Sequence, residues 1–332
     1  MAVLLTGGTG FIGSHTAVEI IQAGQEVVIV DNLSNSGEDV LDKLRQITGV
    51  RPAFRQLDVA DASALDQVFH EFSIDSVIHF AGFKAVGESI DKPLEYYRNN
   101  LDTTLTLLET MRKHHCLRLI ISSSATVYGA NSEAPYSEEA PTGHCTNPYG
   151  WTKYMIEQVL LGAAKAYPQL SVVILRYFNP IGAHESGLIG ERPNGIPNNL
   201  LPYLTQTVAG LRECLNVYGH DYPTPDGTGV RDFIHVVDLA KGHVAALDYA
   251  RAHSGAEIFN LGTGKGYSVL DVIHAFEQAN KVKINYAFAP RRPGDVAVCY
   301  ANAEKARRLL GWTAEKSLLD MCRDAWRWQQ NC

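Results

Sequence analysis

The segment Thr6-Gly7-Gly8-Thr9-Gly10-Phe11-Ile12-Gly13 restricts the fold more than any other stretch of the chain. It follows the apolar run Ala2-Val3-Leu4-Leu5 and opens a helical pattern, the context that a phosphate-binding glycine loop needs. Gly7, Gly10 and Gly13 let the backbone turn tightly and let a pyrophosphate approach a helix N-terminus, whose amides and dipole favour negative charge. Alone, the loop could be a plain strand-to-helix turn, the lesser of the two readings. Its successor adds weight: a second strand, Glu26 to Val30, ends on Asp31. A carboxylate at that place accepts hydrogen bonds from adenosine ribose hydroxyls and repels a 2′-phosphate, which favours NAD over NADP. The alternative is a turn aspartate before Asn32. Asp58, after another strand, is a candidate for the adenine edge.

The first half alternates short β-branched runs with helical stretches, the pattern of a parallel sheet covered on both faces. Strands are expected at Val3 to Thr6, Glu26 to Val30, Ala53 to Leu57, Ser76 to Phe80, Arg118 to Ser122 and Ser171 to Arg176. Leu101, Leu105, Leu108 and Met111 recur at helical spacing and predict an amphipathic helix that packs either internally or on another subunit. After about residue 177, Pro and Gly punctuate Asn179 to Pro202 and Pro223 to Gly229. The reading is an α/β chain with a doubly wound parallel sheet over 1–177 and a smaller C-terminal substrate domain over 178–332. Segments near 231–261 could return to the first domain.

With 332 residues, 45% hydrophobic, the chain can bury a large core. A net charge of -7 argues against nucleic-acid and anionic-membrane surfaces, so an anionic ligand would need a few placed cations. The N-terminus reads as a first strand and not a signal peptide, and no run reaches the ~18 apolar residues of a membrane span. Six scattered cysteines without a Cys-x-x-Cys pair favour reduced thiols in a cytoplasmic chain. No metal site is expected: His79, His114 and His115 read as structural or solvated, with no carboxylate at ligand spacing.

Ile120-Ile121-Ser122-Ser123-Ser124 leaves a buried strand and breaks into hydroxyl residues at its carboxyl end, where open α/β sheets bind ligands. A hydroxyl there could meet a reacting oxygen, or could cap the following turn. Ser124 gains weight from partnership with Tyr149. Tyr149-Gly150-Trp151-Thr152-Lys153 places Tyr149 and Lys153 one helical turn apart, on one face. A phenol titrates near ~10, and lowering it by about three units, worth ~4 kcal/mol, requires nearby positive charge. Lys153 can supply it, and a tyrosine base beside a nicotinamide suits hydride chemistry at a carbinol.

Together these motifs resemble the extended short-chain dehydrogenase/reductase family, most closely its members that epimerise UDP-sugars at C4. The resemblance runs from Thr6–Gly13 through Tyr149–Lys153 to Arg291-Arg292-Pro293-Gly294-Asp295. It implies a Rossmann-type fold and a catalytic set of Ser124, Tyr149 and Lys153. It also implies that NAD is held by Phe11, Ile12, Asp31, Asn32, Asn35, Ser36, Asp58, Val59, Phe80, Ala81, Gly82, Lys84, Asn99 and Phe178. The nucleotide sugar would meet Asn179, Asn199, Leu200, Asn216, Tyr218, Arg231, Arg292 and Asp295. Guanidinium forks at Arg231 and Arg292 suit a diphosphate, although either could be an exposed loop arginine. A homodimer through helices near 90–112 and 150–166 is implied as well.

The implied reaction interconverts UDP-glucose and UDP-galactose through a 4-keto sugar. Relatives that dehydrate sugars carry an Asp-Glu pair where this chain has Ala125 and Thr126, neither of which can act as the required acid or base. Cys299 stands where some 4-epimerases carry Tyr, implying room for an N-acetyl group and hence for UDP-GlcNAc and UDP-GalNAc. Two alternatives stay open: Tyr300 could occupy that place, or Cys299 could be a small buried hydrophobe. The rival activities are a nucleotide-sugar reductase or dehydrogenase that exchanges its cofactor, and a non-catalytic NAD-responsive binding protein.

Overall fold

The computed structural model describes residues 1–130, 133–292 and 294–332. Its main layer is a seven-stranded parallel sheet built from β1 (Ala2–Thr6), β2 (Glu26–Asp31), β3 (Ala53–Gln56), β4 (Ile74–His79), β5 (Arg118–Ser124), β6 (Ser171–Tyr177) and, far along the chain, Gly255–Leu261. The order is that last strand, then β6-β5-β4-β1-β2-β3. The direction of build-up reverses between β1 and β4, which opens the crevice where doubly wound sheets bind ligands. The six expected strands lie within two residues of those observed.

Strand alternation divides the core into two layers. Val3, Leu5, Val27, Ile29, Val173 and Leu175 pack on one face of the sheet. Ala2, Leu4, Val28, Val30, Val172 and Ile174 pack on the other. Each buried aliphatic side chain contributes roughly 1.5–3 kcal/mol, so both faces need helical cover. On the first face that cover comes from α1 (Phe11–Gln22), α2 (Asp39–Thr48) and, from later in the chain, the helix Val236–Ala252. On the second it comes from α3 (Ala62–Glu71), α5 (Pro93–Lys113) and α6 (Pro148–Ala166), with the short α4 (Val86–Asp91) preceding α5.

The expected helix at Leu101 to Met111 is the second half of α5, which starts with Pro93 in its first turn. Leu108 and Met111 are buried, but Leu105 is 43% exposed, so the expected four-residue stripe does not form one buried face. The inward face uses Thr103, Thr104 and Leu107 instead. Leu105 joins Phe83, Val86, Ile90, Leu94 and Met155 as exposed apolar side chains on and around α4, α5 and α6.

Beyond Tyr177 the elements shorten: β7 (Asn179–Ile181), α7 (Leu200–Val208), β8 (Leu215–Tyr218), β9 (Val230–Arg231), β10 (Phe233–His235) and α8 (Val236–Ala252), followed by Gly255–Leu261 as β11. Then come β12 (Tyr267–Ser268), α9 (Val269–Asn280), β13 (Tyr286–Ala289), β14 (Val298–Cys299), α10 (Glu304–Leu309) and α11 (Leu318–Gln330). The short strands form small sheets, β10-β7, β12-β9-β14 and β13-β8, over a separate core that includes Leu201, Phe233, Ile273, Phe276 and Met321. The chain thus returns to the main sheet through β11 before completing the smaller layer.

Candidate active site

The glycine loop is close-packed for a backbone reason. Gly7 has φ 68°, and a Cβ there would lie 2.8 Å from the Ala81 amide nitrogen; one on Gly13 would lie 2.4 Å from the Gly7 carbonyl oxygen. Gly10 caps α1 without a side chain, leaving a bare helix N-terminus at the carboxyl end of β1. Asp31, at the end of β2, accepts from the amides of Thr9 (3.2 Å) and Leu33 (2.9 Å) and from the Ser36 hydroxyl (3.2 Å). Its two oxygens are oriented by the loop and the next turn, so Asp31 does fill the turn role. Asn32 donates to Asp58 at 3.4 Å, Val59 is buried, and Asn35 is exposed beside them. Phe80, Ala81 and Gly82 leave the end of β4 next to Gly7, the Phe80 amide bonding the Thr6 carbonyl at 3.0 Å. A carboxylate, a bare helix N-terminus and a cradle that a Cβ would fill are the donor set a dinucleotide requires, so these residues fit NAD.

The catalytic candidates converge at the end of β5. Asn147 caps α6, its side chain accepting from the Gly150 amide at 2.9 Å, and Pro148 fills the first helical position. A Cβ on Gly150 would lie 3.1 Å from the Cys145 Cβ and 3.4 Å from the Thr126 Cβ, so glycine lets the helix start press on the turn Ala125–Tyr128. This brings the Tyr149 phenol into hydrogen bond with Ser124. Ser124 also caps that turn, accepting from the Thr126 amide at 3.2 Å. The capping alternative weighed for Ser122 and Ser123 falls to neither: Ser123 donates to Glu157 at 2.6 Å and Ser122 bonds Tyr177.

Lys153 is buried and donates to the Ser122 carbonyl at 2.8 Å, its Nζ standing 5.9 Å from the Tyr149 ring centroid. Burial lowers its pKa to about 8, against the opposing pull of Glu157. Burial likewise pushes the Tyr149 phenol up to about 12, with the Ser124 hydrogen bond acting the other way. The expectation that Lys153, together with a nicotinamide charge, ionises Tyr149 can be set against magnitudes. One ammonium at this range, in an effective dielectric of ~20, is worth about 3 kcal/mol or about two pKa units. That falls short of making a neutral-pH base, and a second cation is required.

On the other wall, Arg231 of β9 pairs in register with Cys299 of β14. Arg231 lies 3.7 Å from Asp295, whose other oxygen accepts from Arg292 at 3.3 Å, and the Arg292 guanidinium sits over the Tyr218 ring at 4.8 Å. Four implied substrate residues are therefore one cluster; Pro293, between Arg292 and Gly294, lies outside the described residues. Asn216 shares with Tyr218 the outward edge of β8, opposite buried Leu215 and Val217. Asn179 starts β7, directly after Phe178. Asn199 caps α7, which opens on Leu200, and donates to Glu191 at 2.7 Å. Glu191 also pairs with Lys84 at 3.2 Å, while Lys84 lies 5.9 Å from the Phe11 ring centroid. Ile12 packs beneath on the sheet core.

The two walls meet in a cluster of Val127, Tyr128, Tyr136, Phe178 and Ala301, against which Ala125 and Cys299 pack. Tyr300 turns the other way, toward Gly266. Strand alternation therefore puts Cys299, and not Tyr300, on the side of Phe178.

Several residues of the site escaped the sequence reading. Asn100 accepts from the Phe83 amide at 2.7 Å and donates to Thr152 at 2.9 Å, tying the Gly82 loop to α6, while Asn99 donates to it at 3.0 Å. Glu191 carries no sequence signal. Glu157 does: a carboxylate four residues after Lys153 in the apolar stretch Met155 to Ala164. One histidine reading needs correcting. His79 is structural, buried against Thr6 at 2.7 Å, and His115 is exposed, but His114 does meet a carboxylate. It lies 2.6 Å from Asp66, with His70 of α3 at 3.5 Å from the same group. Helix spacing hid this, because Asp66 and His114 are brought together by the packing of α3 on α5. The Lys113 ammonium, 2.7 Å from Asp66, makes the group an ion-pair network.

The comparisons agree with this architecture. The NAD dependent epimerase/dehydratase family matches residues 3–262. A UDP-glucose 4-epimerase of Bacillus subtilis is 54% identical over 331 residues, covering 100% of this chain and 97% of that protein. One from Haemophilus influenzae is 55% identical over 331 residues, covering 100% and 98%. The crystal structure of UDP-glucose 4-epimerase from Bifidobacterium longum in complex with NAD+ and UDP superposes with a TM-score of 0.97 at 54% identity, covering 100% of this chain and 98% of that one. With a glycine cradle, a strand-end Ser and a Tyr-x-x-x-Lys helix arranged on that fold, the chain belongs to the NAD dependent epimerase/dehydratase family.

Proposed function

We propose that the chain interconverts UDP-glucose and UDP-galactose by epimerisation at C4, using bound NAD. The observation that carries this is the convergence of Ser124, Tyr149 and Lys153 at the end of β5, between the dinucleotide cradle and the arginine cluster. Tyr149 takes the proton of the sugar 4-hydroxyl, directly or through Ser124, and returns it to the product. NAD, when bound in the cradle of Gly7, Gly13 and Asp31, would supply the hydride acceptor and donor for C4 and, in its nicotinamide, the second positive charge that the phenol requires.

The chain's own residues do the rest. Lys153 holds a positive charge against the phenol, and Asp31 selects the unphosphorylated ribose. Arg231 and Arg292 grip the diphosphate, leaving the hexose free to turn between the walls. The remaining residues implied for NAD and for the sugar complete the two walls. Ala125 and Thr126 offer no acid or base for loss of water. In this division residues 1–177 bind the cofactor and 178–332 mainly the substrate, with α8 and β11 serving the first unit.

Cys299, packed beside Phe178 and partly buried, leaves volume that a tyrosine would fill, and this supports N-acetylated UDP-sugars as additional substrates. The exposed apolar side chains of α4, α5 and α6 support a homodimer through those helices; a monomer by light scattering would remove that part. No helix among the described residues is long and apolar enough to cross a membrane, and all six cysteines carry free thiols, which supports a cytoplasmic location.

The test is turnover of UDP-galactose and, separately, UDP-GalNAc by purified protein without added NAD, each 4-epimer followed by chromatography. Conversion of both is expected. Conversion of UDP-galactose alone would mean that Cys299 is not the gate, and conversion of neither would refute the epimerase.

A further inference from the structure

Behind the catalytic face of α6 lies a charged pair with no evident part in the chemistry. Glu157 has a fully buried side chain and Arg176 a 3% exposed one. Arg176 donates two parallel hydrogen bonds to the carboxylate, Nε to Oε1 at 3.0 Å and Nη2 to Oε2 at 2.7 Å. Ser123 donates a third, at 2.6 Å. The guanidinium is in turn held over the Tyr128 ring at 4.8 Å and donates to the Glu138 carbonyl at 3.4 Å. Ser123 and Arg176 are register partners on β5 and β6.

Burying an ion pair this deeply gains little stability, since apolar residues of similar volume do as well or better. What it offers is a fixed geometry. Glu157 follows Lys153 by one helical turn and Tyr149 by two, Ser123 precedes Ser124, and Arg176 stands two residues before Phe178. One carboxylate therefore clamps the helix carrying Tyr149 and Lys153 to β5, which ends on Ser124, and to β6, which runs into Phe178.

We propose that Glu157, gripped by Arg176 and Ser123, is a positioning residue that sets Tyr149 and Lys153 against Ser124. This rests on the epimerase reading. The other titratable groups of the elements packed around this part of α6 do not compete. Burial keeps His79 of β4 neutral, its pKa lowered to about 3, and holds the Tyr177 phenol of β6 above its ordinary value. It likewise pushes Tyr128 up to about 12 and Cys145 up to about 11, and it raises Tyr96 of α5. Arg176 is occupied by Glu157 itself. Glu157 is the carboxylate that raises the Lys153 pKa against its desolvation.

The test compares Glu157→Gln with the double variant Glu157→Met/Arg176→Met, which removes both charges at similar volume and so guards against a misfolded single variant. Ser123→Ala and Ser123→Thr bracket the third hydrogen bond. Wild-type turnover is measured first; its absence would sink the epimerase reading and not the clamp, which is then judged by nuclear magnetic resonance of Lys153 in [13Cε]lysine-labelled, NAD-bearing protein. In folded variants kcat should fall about 10- to 100-fold while KM for UDP-galactose stays within about threefold. The alkaline limb of kcat and the Lys153 titration should both move to lower pH in Glu157→Gln, because a negative charge that stabilises the ammonium is gone. Ser123→Thr should recover what Ser123→Ala loses. A folded, NAD-bearing Glu157→Gln or double variant with wild-type kcat and an unmoved Lys153 titration would overturn the proposal.

Discussion

The two walls of the site are held by different physics. On the sheet side, Asp31, Ser124 and Lys153 sit at strand ends or on a capped helix, each anchored to backbone: Asp31 by two amides, Ser124 by the Thr126 amide, Lys153 by the Ser122 carbonyl. On the other side, Arg231 also donates to backbone, at the Val230 carbonyl (2.9 Å), but Arg292, Asp295 and Tyr218 are held by side-chain contacts within the cluster, and the Arg292 and Asp295 side chains are 52% and 32% exposed. In the proposed reaction, chemistry that depends on alignment within fractions of an ångström falls to the rigid wall. In the same proposal, grip on a flexible diphosphate, in a reaction whose sugar must present both faces, falls to the adaptable one.

If that division holds, the rigid wall should control kcat. Tyr149→Phe should lower kcat by about 10²- to 10⁴-fold with NAD still bound, because the packing is kept and only the proton carrier is lost. Steady-state kinetics together with the absorbance of released cofactor check both halves of that statement. Gly13→Ala should expel the cofactor, since its Cβ would lie 2.4 Å from the Gly7 carbonyl and backbone cannot give way cheaply. Co-purified NAD should fall at least about tenfold, and a normal complement would show the cradle to be looser than its geometry.

The adaptable wall should behave otherwise. Arg292→Ala should raise KM for UDP-galactose by roughly 10- to 100-fold, the worth of a charge-assisted hydrogen bond, and change kcat little. A kcat loss as large as that of Tyr149→Phe would erase the distinction between the walls.

The sheet was legible in the sequence because buried parallel strands are continuous apolar runs bounded by glycine and polar residues, as Ala2-Val3-Leu4-Leu5 and Val172-Val173-Ile174-Leu175 show. The catalytic motif was legible for a similar reason: its parts sit at strand ends and at fixed helical spacing. What escaped depends on tertiary packing. β9 and β14 have two residues each, too few to display any period. Leu105 keeps helical spacing with Leu101 and Leu108 yet points outward, because the inner face of α5 takes small Thr103 and Thr104. Glu191 meets Lys84, and Asp66 meets His114, across more than forty residues of chain, where no local pattern reaches. For Cys299 and Tyr300 only the strand pairing with β9 decided which side chain faces the site.

A smaller effect probes the burial of Lys153 itself. Its folded pKa, about 8, lies below that of a free lysine near ~10.4. Between those values the unfolded chain binds more protons, so stability should rise with pH across that window, relative to a Lys153→Met variant. Denaturant midpoints of the two proteins at pH 7.5 and 9.5 give the comparison; a difference independent of pH would mean that Lys153 is better solvated than its packing indicates.

The central claim is that hydrogen leaves C4 and returns to C4 within one closed site. UDP-galactose carrying deuterium at C4, incubated with the protein and an excess of unlabelled NAD in solution, tests it directly. Retention of the label at C4 of the UDP-glucose formed is the result predicted, and product that has lost its deuterium to the free cofactor pool would contradict it.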